Sequence, residues 1–104
     1  MGNVVSRRYA SALFAIGKNA GMAELERYGA SLNALGEAVD KTPMLMEAFR
    51  NPVLSAEEKK NVVLSLLDVA GGGTVEQGFC ALLADKGRLA MLPAIAADFG
   101  AMLD

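Results

Sequence analysis

Residues 23–40 read AELERYGASLNALGEAVD, with Leu25, Tyr28, Leu32, Leu35 and Val39 recurring at intervals of three and four. That interval returns one side chain per turn to the same face, so the stretch predicts an amphipathic helix with one apolar stripe. Gly29 and Gly36 fall inside it. Each weakens a helix by about 1 kcal/mol relative to alanine, so close approach by a second helix is the physical reason they fit there.

Outward from this stretch, glycine, proline and capping residues divide the chain into further helical segments. Upstream, Val4 to Asn19 carries Val5, Tyr9, Leu13 and Ile16, with Gly21 placed as a stop. Downstream, Thr42 is an N-cap before Pro43 at the first helical position, and the short helix it opens ends at Asn51-Pro52. Ser55-Ala56-Glu57-Glu58 is a capping box ahead of Val62, Val63, Leu66, Leu67 and Ala70, its acids suited to the helix dipole. After Gly71-Gly72-Gly73, Thr74-Val75-Glu76-Gln77 reads as a second capping box, and Gly87 as a left-handed stop. The last segment covers Leu89 to Leu103, with Leu92, Ile95, Phe99 and Met102 on one face; Pro93 requires the regular helix to start close to it. No period-two alternation occurs, and the linkers are short. The prediction is all-α: one compact six-helix bundle, a single domain over residues 1–104.

Composition bounds the function. The chain is 53% hydrophobic even before its 11 glycines are added, more than a bundle of 104 residues obviously needs. A dense core explains part of that excess; a partner surface explains the rest. The net charge is −2 with no basic stripe, which argues against a nucleic-acid binder. Apolar runs stop short of the about 20 residues that a membrane span requires. Cys80 is the only cysteine, reads as an inert buried thiol, and excludes an internal disulfide. Met1-Gly2-Asn3-Val4-Val5-Ser6 fits a myristoylation pattern, but Asn3 or Ser6 reads equally well as a helix cap. Arg7-Arg8 before an apolar run, and the lack of acids before Glu24, resemble targeting signals; the segment is nevertheless assigned to the fold.

Catalytic chemistry finds little to work with. There is no histidine, so nucleophile–histidine arrangements and the common zinc sites are out of reach. The glycine run lacks the Lys-Ser or Lys-Thr of a phosphate loop. Glu57 and Glu58 are explained by capping, and Arg88 by the carbonyls of a helix end. The expectation is a non-enzymatic protein without a cofactor or metal.

What stands out is an excess of apolar faces. The first helix has one row in Tyr9, Leu13 and Ile16 and another in Ala10, Phe14 and Gly17, with Val5 and Ala12 at one edge. The fifth has Val75, Phe79, Leu82 and Lys86 along one row and Cys80, Leu83, Ala84 and Gly87 along the next. Either both helices are covered on all sides, or together they present a groove for an amphipathic helix. Ala12 and Ala84 are small enough for a third helix to approach. Tyr9 reads as a rim residue or as a core-edge tyrosine. Few charges belong to these rows, so binding there would depend weakly on salt.

Three strings also carry a family resemblance: RRYASALF (Arg7–Phe14), NPVLSAEEKK (Asn51–Lys60) and FCALLADKGRLAMLP (Phe79–Pro93). Their best points are Arg8-Tyr9-Ala10, Ala12, Phe14, Asn51-Pro52, Glu58-Lys59 and Gly87-Arg88-Leu89. In order and spacing they resemble the N-terminal domain of the F-type ATP synthase delta subunit, the oligomycin-sensitivity-conferring protein family. That resemblance implies a six-helix bundle whose groove between the first and fifth helices receives the N-terminal helix of an alpha subunit. Carried over by position, the contacts would be Tyr9, Ala12, Leu13 and Ile16 with Phe79, Leu82, Leu83 and Lys86. It further implies a stator role, pinning the peripheral stalk to the catalytic hexamer on the cytoplasmic face of a bacterial inner membrane, or the matrix side in mitochondria, without direct membrane insertion. Family members continue into a C-terminal region that engages the b subunit of the stalk; this sequence ends at Asp104 and so looks like an isolated domain or a fragment. The alternative from another class is a self-associating bundle whose apolar surface closes a homodimer.

Overall fold

A computed structural model describes residues 3–104. The myristoylation pattern at Met1 and Gly2 lies outside the described residues. Among the described residues six α-helices follow one another: α1 (Val4–Ala20), α2 (Met22–Lys41), α3 (Pro43–Arg50), α4 (Ala56–Val69), α5 (Thr74–Asp85) and α6 (Leu92–Leu103). A 3₁₀ turn, Leu89–Met91, precedes α6, so Pro93 falls in the first helical turn where its missing N–H costs nothing. No strand occurs among the described residues.

All five residues of the α2 stripe are buried, Tyr28 and Leu32 to within 1% of full enclosure. Their closest partner is α6, which contributes Leu92, Ile95 and Phe99 to the same core. The two α2 glycines face that helix: a Cβ on Gly36 would stand 3.0 Å from Ala96 Cβ and 3.3 Å from Pro93 Cα, and one on Gly29 would stand 2.7 Å from Leu103 Cδ1. Close backbone approach is therefore the use of Gly36, as its place in the helix predicts, whereas at Gly29 the neighbours are the side chains of Leu103 and Phe99. Each buried leucine or phenylalanine contributes about 1.5–3 kcal/mol of transfer free energy, so this α2–α6 seam is the spine of the fold.

Helix ends follow local chemistry. Asn3 and Ser6 form a reciprocal box at the start of α1, each side chain accepting from the other's backbone N–H at 2.8 Å. Ser55 and Glu58 do the same for α4, at 3.1 and 2.8 Å. At the ends of α4 and α5, Gly71 (φ +80°) and Gly87 (φ +69°) adopt the left-handed conformation. The next N–H then turns back: Gly72 donates to Leu67 O at 3.0 Å and Arg88 to Leu83 O at 2.8 Å. Thr42 precedes Pro43 as expected, but its side chain makes no capping bond.

The second capping box is a correction. The cap of α5 is Gly73, not Thr74, and a glycine has no side chain to offer. Glu76 alone closes the helix start, accepting from Gly73 N–H at 3.0 Å. It turns inward while doing so and is only 1% exposed.

Candidate functional site

α1 packs on α2 and α6 through one of its two apolar rows. Ala10 and Gly17 are buried there, Phe14 meets Phe99 edge-on at 5.8 Å, and a Cβ on Gly17 would strike Leu25. This consumption of one row leaves the other. Tyr9 is half-buried, and Ala12 and Ile16 are exposed, Ile16 to 50%. α5 divides in the same way. Cys80, Leu83 and Ala84 face the core, while Leu82 stays 44% exposed and Gly78 lies open. The small and apolar residues that the bundle leaves exposed, Ala12 and Ile16 on α1 with Gly78 and Leu82 on α5, lie opposite each other.

Between them runs a trough made of two adjoining recesses of about 350 and 290 Å³ that share Tyr9, Ala12 and Leu82. One end is lined by Leu13, Ile16, Val75, Gly78 and Phe79 in addition to the shared three. The other adds Val5, Arg8, Lys86 and Arg88. Because Val5 lies beside Lys86 and Ile16 beside Val75, α1 and α5 run in opposite senses along its walls. Tyr9 and Phe79 bridge the floor edge-to-face at 6.3 Å and 78°.

Of the eight residues expected here, seven line the trough: Tyr9, Ala12, Leu13, Ile16, Phe79, Leu82 and Lys86. Leu13 and Phe79 do so from below, as floor residues that are themselves buried. Leu83 does not reach it. Its position one residue past Leu82 turns it about 100° around the helix, and it is fully enclosed in the core. Leu83 is scaffold.

Sequence reasoning missed Arg88. Its backbone N–H closes the end of α5, but its side chain crosses to α1, where Nη1 donates to the Tyr9 hydroxyl at 2.8 Å and the guanidinium lies 5.6 Å from the ring centroid. The scarcity of charge expected from the apolar rows describes the Ile16–Val75 end. It does not describe the other, which holds Arg8, Lys86 and Arg88.

Buried polar chemistry lies elsewhere and serves the fold. Ser6 donates to Asp98 at 2.7 Å, joining α1 to α6. Glu76 accepts from Ser31 at 3.1 Å and from Arg27 at 3.3 Å, joining α5 to α2. Arg27 also binds Glu24, whose carboxyl it holds below its usual range. Burial, with Glu76 nearby, pushes the Cys80 thiol up to about 12, so it stays protonated at physiological pH. Among the described residues no cluster of His, Cys, Asp or Glu could hold a metal, and no helix is long and apolar enough to cross a membrane.

The chain matches the family described as ATP synthase delta (OSCP) subunit over residues 5–104. It is 52% identical over 103 residues to a protein named ATP synthase subunit delta from Oleidesulfovibrio alaskensis, covering 99% of this chain and 56% of that protein. The like-named protein of Maridesulfovibrio salexigens is 48% identical over the same shares. That of Lawsonia intracellularis is 34% identical over 104 residues, 100% of this chain and 55% of the relative. The chain thus spans about half the length of the curated relatives it matches.

Proposed function

From the premise that the chain belongs to the ATP synthase delta (OSCP) subunit family, we propose that its α1–α5 trough is a docking groove for the amphipathic N-terminal helix of an ATP synthase alpha subunit. The domain then acts without catalysis, as a stator part that fastens the peripheral stalk to the catalytic hexamer. Contact with a b-type stalk subunit belongs to the C-terminal region of the longer relatives. Held this way on a membrane-bound complex, the domain stays peripheral, on the cytoplasmic face in a bacterium.

The observation that carries this reading is the exposed part of the second apolar row on each of α1 and α5. An isolated bundle gains nothing from leaving Ile16 and Leu82 half in water beside the small Ala12 and Gly78. A third helix laid between them would bury both and reach the floor formed by Leu13 and Phe79. That is helix-in-groove recognition, in which anchors at three- and four-residue spacing fill a preformed apolar channel. A stator needs tight static binding, and apolar burial with little loss of backbone freedom provides it.

Calorimetric titration of the chain with a synthetic peptide copying the alpha-subunit N-terminal segment tests the proposal. Saturable one-to-one binding with a negative heat-capacity change is expected. No binding by a folded monomer, or a homodimer that closes through this same groove, would overturn it.

A further inference from the structure

The trough is electrically lopsided. At the Ile16–Val75 end every lining residue is uncharged: Tyr9, Ala12, Leu13, Ile16, Val75, Gly78, Phe79 and Leu82. At the opposite end stand Arg8, Lys86 and Arg88, with no carboxylate among the lining residues. The chain has 12 acids against 10 basic residues, yet the ion pairs among the described residues join Arg27, Lys41 and Lys60 to glutamates and none involves these three cations. Like charges gathered at one place repel, so the cluster costs the free protein something unless a partner neutralises it.

Arg88 is also held in position. The left-handed turn at Gly87 and the bond from Arg88 N–H to Leu83 O fix its backbone, and the Tyr9 ring and hydroxyl fix its head. A guanidinium carries five N–H donors, and the bond to Tyr9 uses one. The others remain for an acceptor placed above the trough.

We infer that Arg8, Lys86 and Arg88 form a carboxylate-recognition site that sets the direction in which the partner helix lies in the groove. The inference rests on the groove reading above and adds to it. An amphipathic helix can enter an apolar trough either way round, burying nearly the same area in both cases. A charge at one end removes that degeneracy, because reversal would bring an acid over the uncharged end and leave the cations unpaired. The α1 wall from Val5 to Ile16 is roughly 16 Å long at 1.5 Å per residue, about three helical turns. The occupant is therefore a helix with about three turns of apolar stripe and an aspartate or glutamate flanking one end of it. That acid sits on the three cations.

A double-mutant cycle tests this. The probe is the alpha-type N-terminal peptide, made with its own sequence and with each acid flanking the apolar stripe replaced in turn by its amide. Affinities are measured by fluorescence anisotropy, at low and high salt, for the native chain, Lys86→Gln, Arg88→Gln and Leu82→Glu. Both cations are exposed, and Lys86 makes no bond whose loss would disturb the fold. One acid-to-amide change should weaken binding to the native chain about tenfold and to the Lys86→Gln or Arg88→Gln chain less than about threefold, with a salt dependence that shrinks in parallel. Equal losses for native and variant chains at every acid would overturn the inference. If Leu82→Glu also bound like the native chain, the groove reading itself would fall; if only Leu82→Glu lost binding, the groove would stand without its charged end.

Discussion

The carboxylate of Glu76, at the start of α5, accepts the hydroxyl hydrogen of Ser31 in the middle of α2 at 3.1 Å, and both residues are only 1% exposed. The same carboxylate caps Gly73 and meets Arg27, so one side chain closes a helix end and ties it to the central helix. α5 is a wall of the groove. Its position against α2 therefore depends on a polar contact inside an otherwise apolar interior.

Glu76→Ala should accordingly cost about 1–2 kcal/mol through the lost cap and the lost tie to α2, since the Ser31 hydroxyl keeps the Arg27 carbonyl, 3.1 Å away, as an acceptor. Arg27 is 41% exposed, so its ion pair adds little to that figure. Glu76→Gln, which keeps the volume and one acceptor, should lose less. Chemical denaturation of the two variants checks the order; a Glu76→Ala protein as stable as the native one would show that the contact contributes nothing.

Burial divides the groove from the core more sharply than sequence can. Ala12→Arg and Leu82→Glu alter exposed positions and should leave unfolding free energy within about 0.5 kcal/mol of native. Both should weaken an alpha-type helical peptide well over tenfold, since a lost central anchor typically costs about 2 kcal/mol. Leu83→Glu places a charge in the closed core and should unfold the domain. Thermal melts and peptide affinity on the same proteins decide the matter; an unfolded Leu82→Glu would make that residue scaffold.

The two α2 glycines should respond in opposite ways to the same change. At Gly29 the added methyl meets the mobile end of Leu103, which can turn aside, and the better helix propensity gains up to about 1 kcal/mol. At Gly36 it meets Ala96 Cβ and the Pro93 backbone, neither of which can rotate away, and overpacking of about 1–3 kcal/mol prevails. Melting temperatures of Gly29→Ala and Gly36→Ala give the signs. Equal shifts would mean that the helices do not meet as described.

Acid should loosen the bundle through its caps. The Ser55 backbone N–H, with the Ser55 side chain, holds the Glu58 carboxyl below its usual range, and the hydrogen bond from Arg27 does the same for Glu24. Groups depressed in the folded state contribute stability above their unfolded pKa, about 4.3 for glutamate, and lose it as pH falls through the lowered value. Glu58→Gln should therefore lower the melting temperature at pH 6 and matter progressively less towards pH 2. A gap that widened on acidification would contradict the assignment.

Cys80 offers a probe of the same packing. With its thiol pushed up to about 12 and its side chain enclosed, it should be inert to a disulfide reagent at pH 8 until the protein is unfolded. Labelling of the native chain at the rate of a free thiol would place α5 differently.

The helices were legible because each has its own punctuation and stripe: Gly21, Pro43, Ser55 and Gly87 act within a few residues of themselves. Close approach by a second helix was legible too, since glycines in a strong apolar helix have few other uses; that the helix is α6 was not. Leu83 was not. With apolar residues on two adjacent rows of α5, periodicity shows that two faces are used but not which one the neighbouring helices cover. Glu76 and Ser31 stand 45 residues apart in sequence and look like an ordinary cap and an ordinary polar position. The one available signal was Ser31 itself, a polar residue beside the buried Leu32. Arg88 was hidden for a similar reason, its partner Tyr9 being 79 residues away.

The most direct test is an amide-resolved NMR titration of the chain with the alpha-type N-terminal peptide. Shifts should concentrate at Tyr9, Ala12, Ile16, Gly78, Leu82, Lys86 and Arg88, the residues that line the α1–α5 trough. A separate recess between α2 and α6, lined by residues that include Asn33, Gly36, Asp40, Pro93 and Ala97, should remain silent. Perturbation centred on that recess, with Ala12 and Leu82 unmoved, would contradict the docking groove.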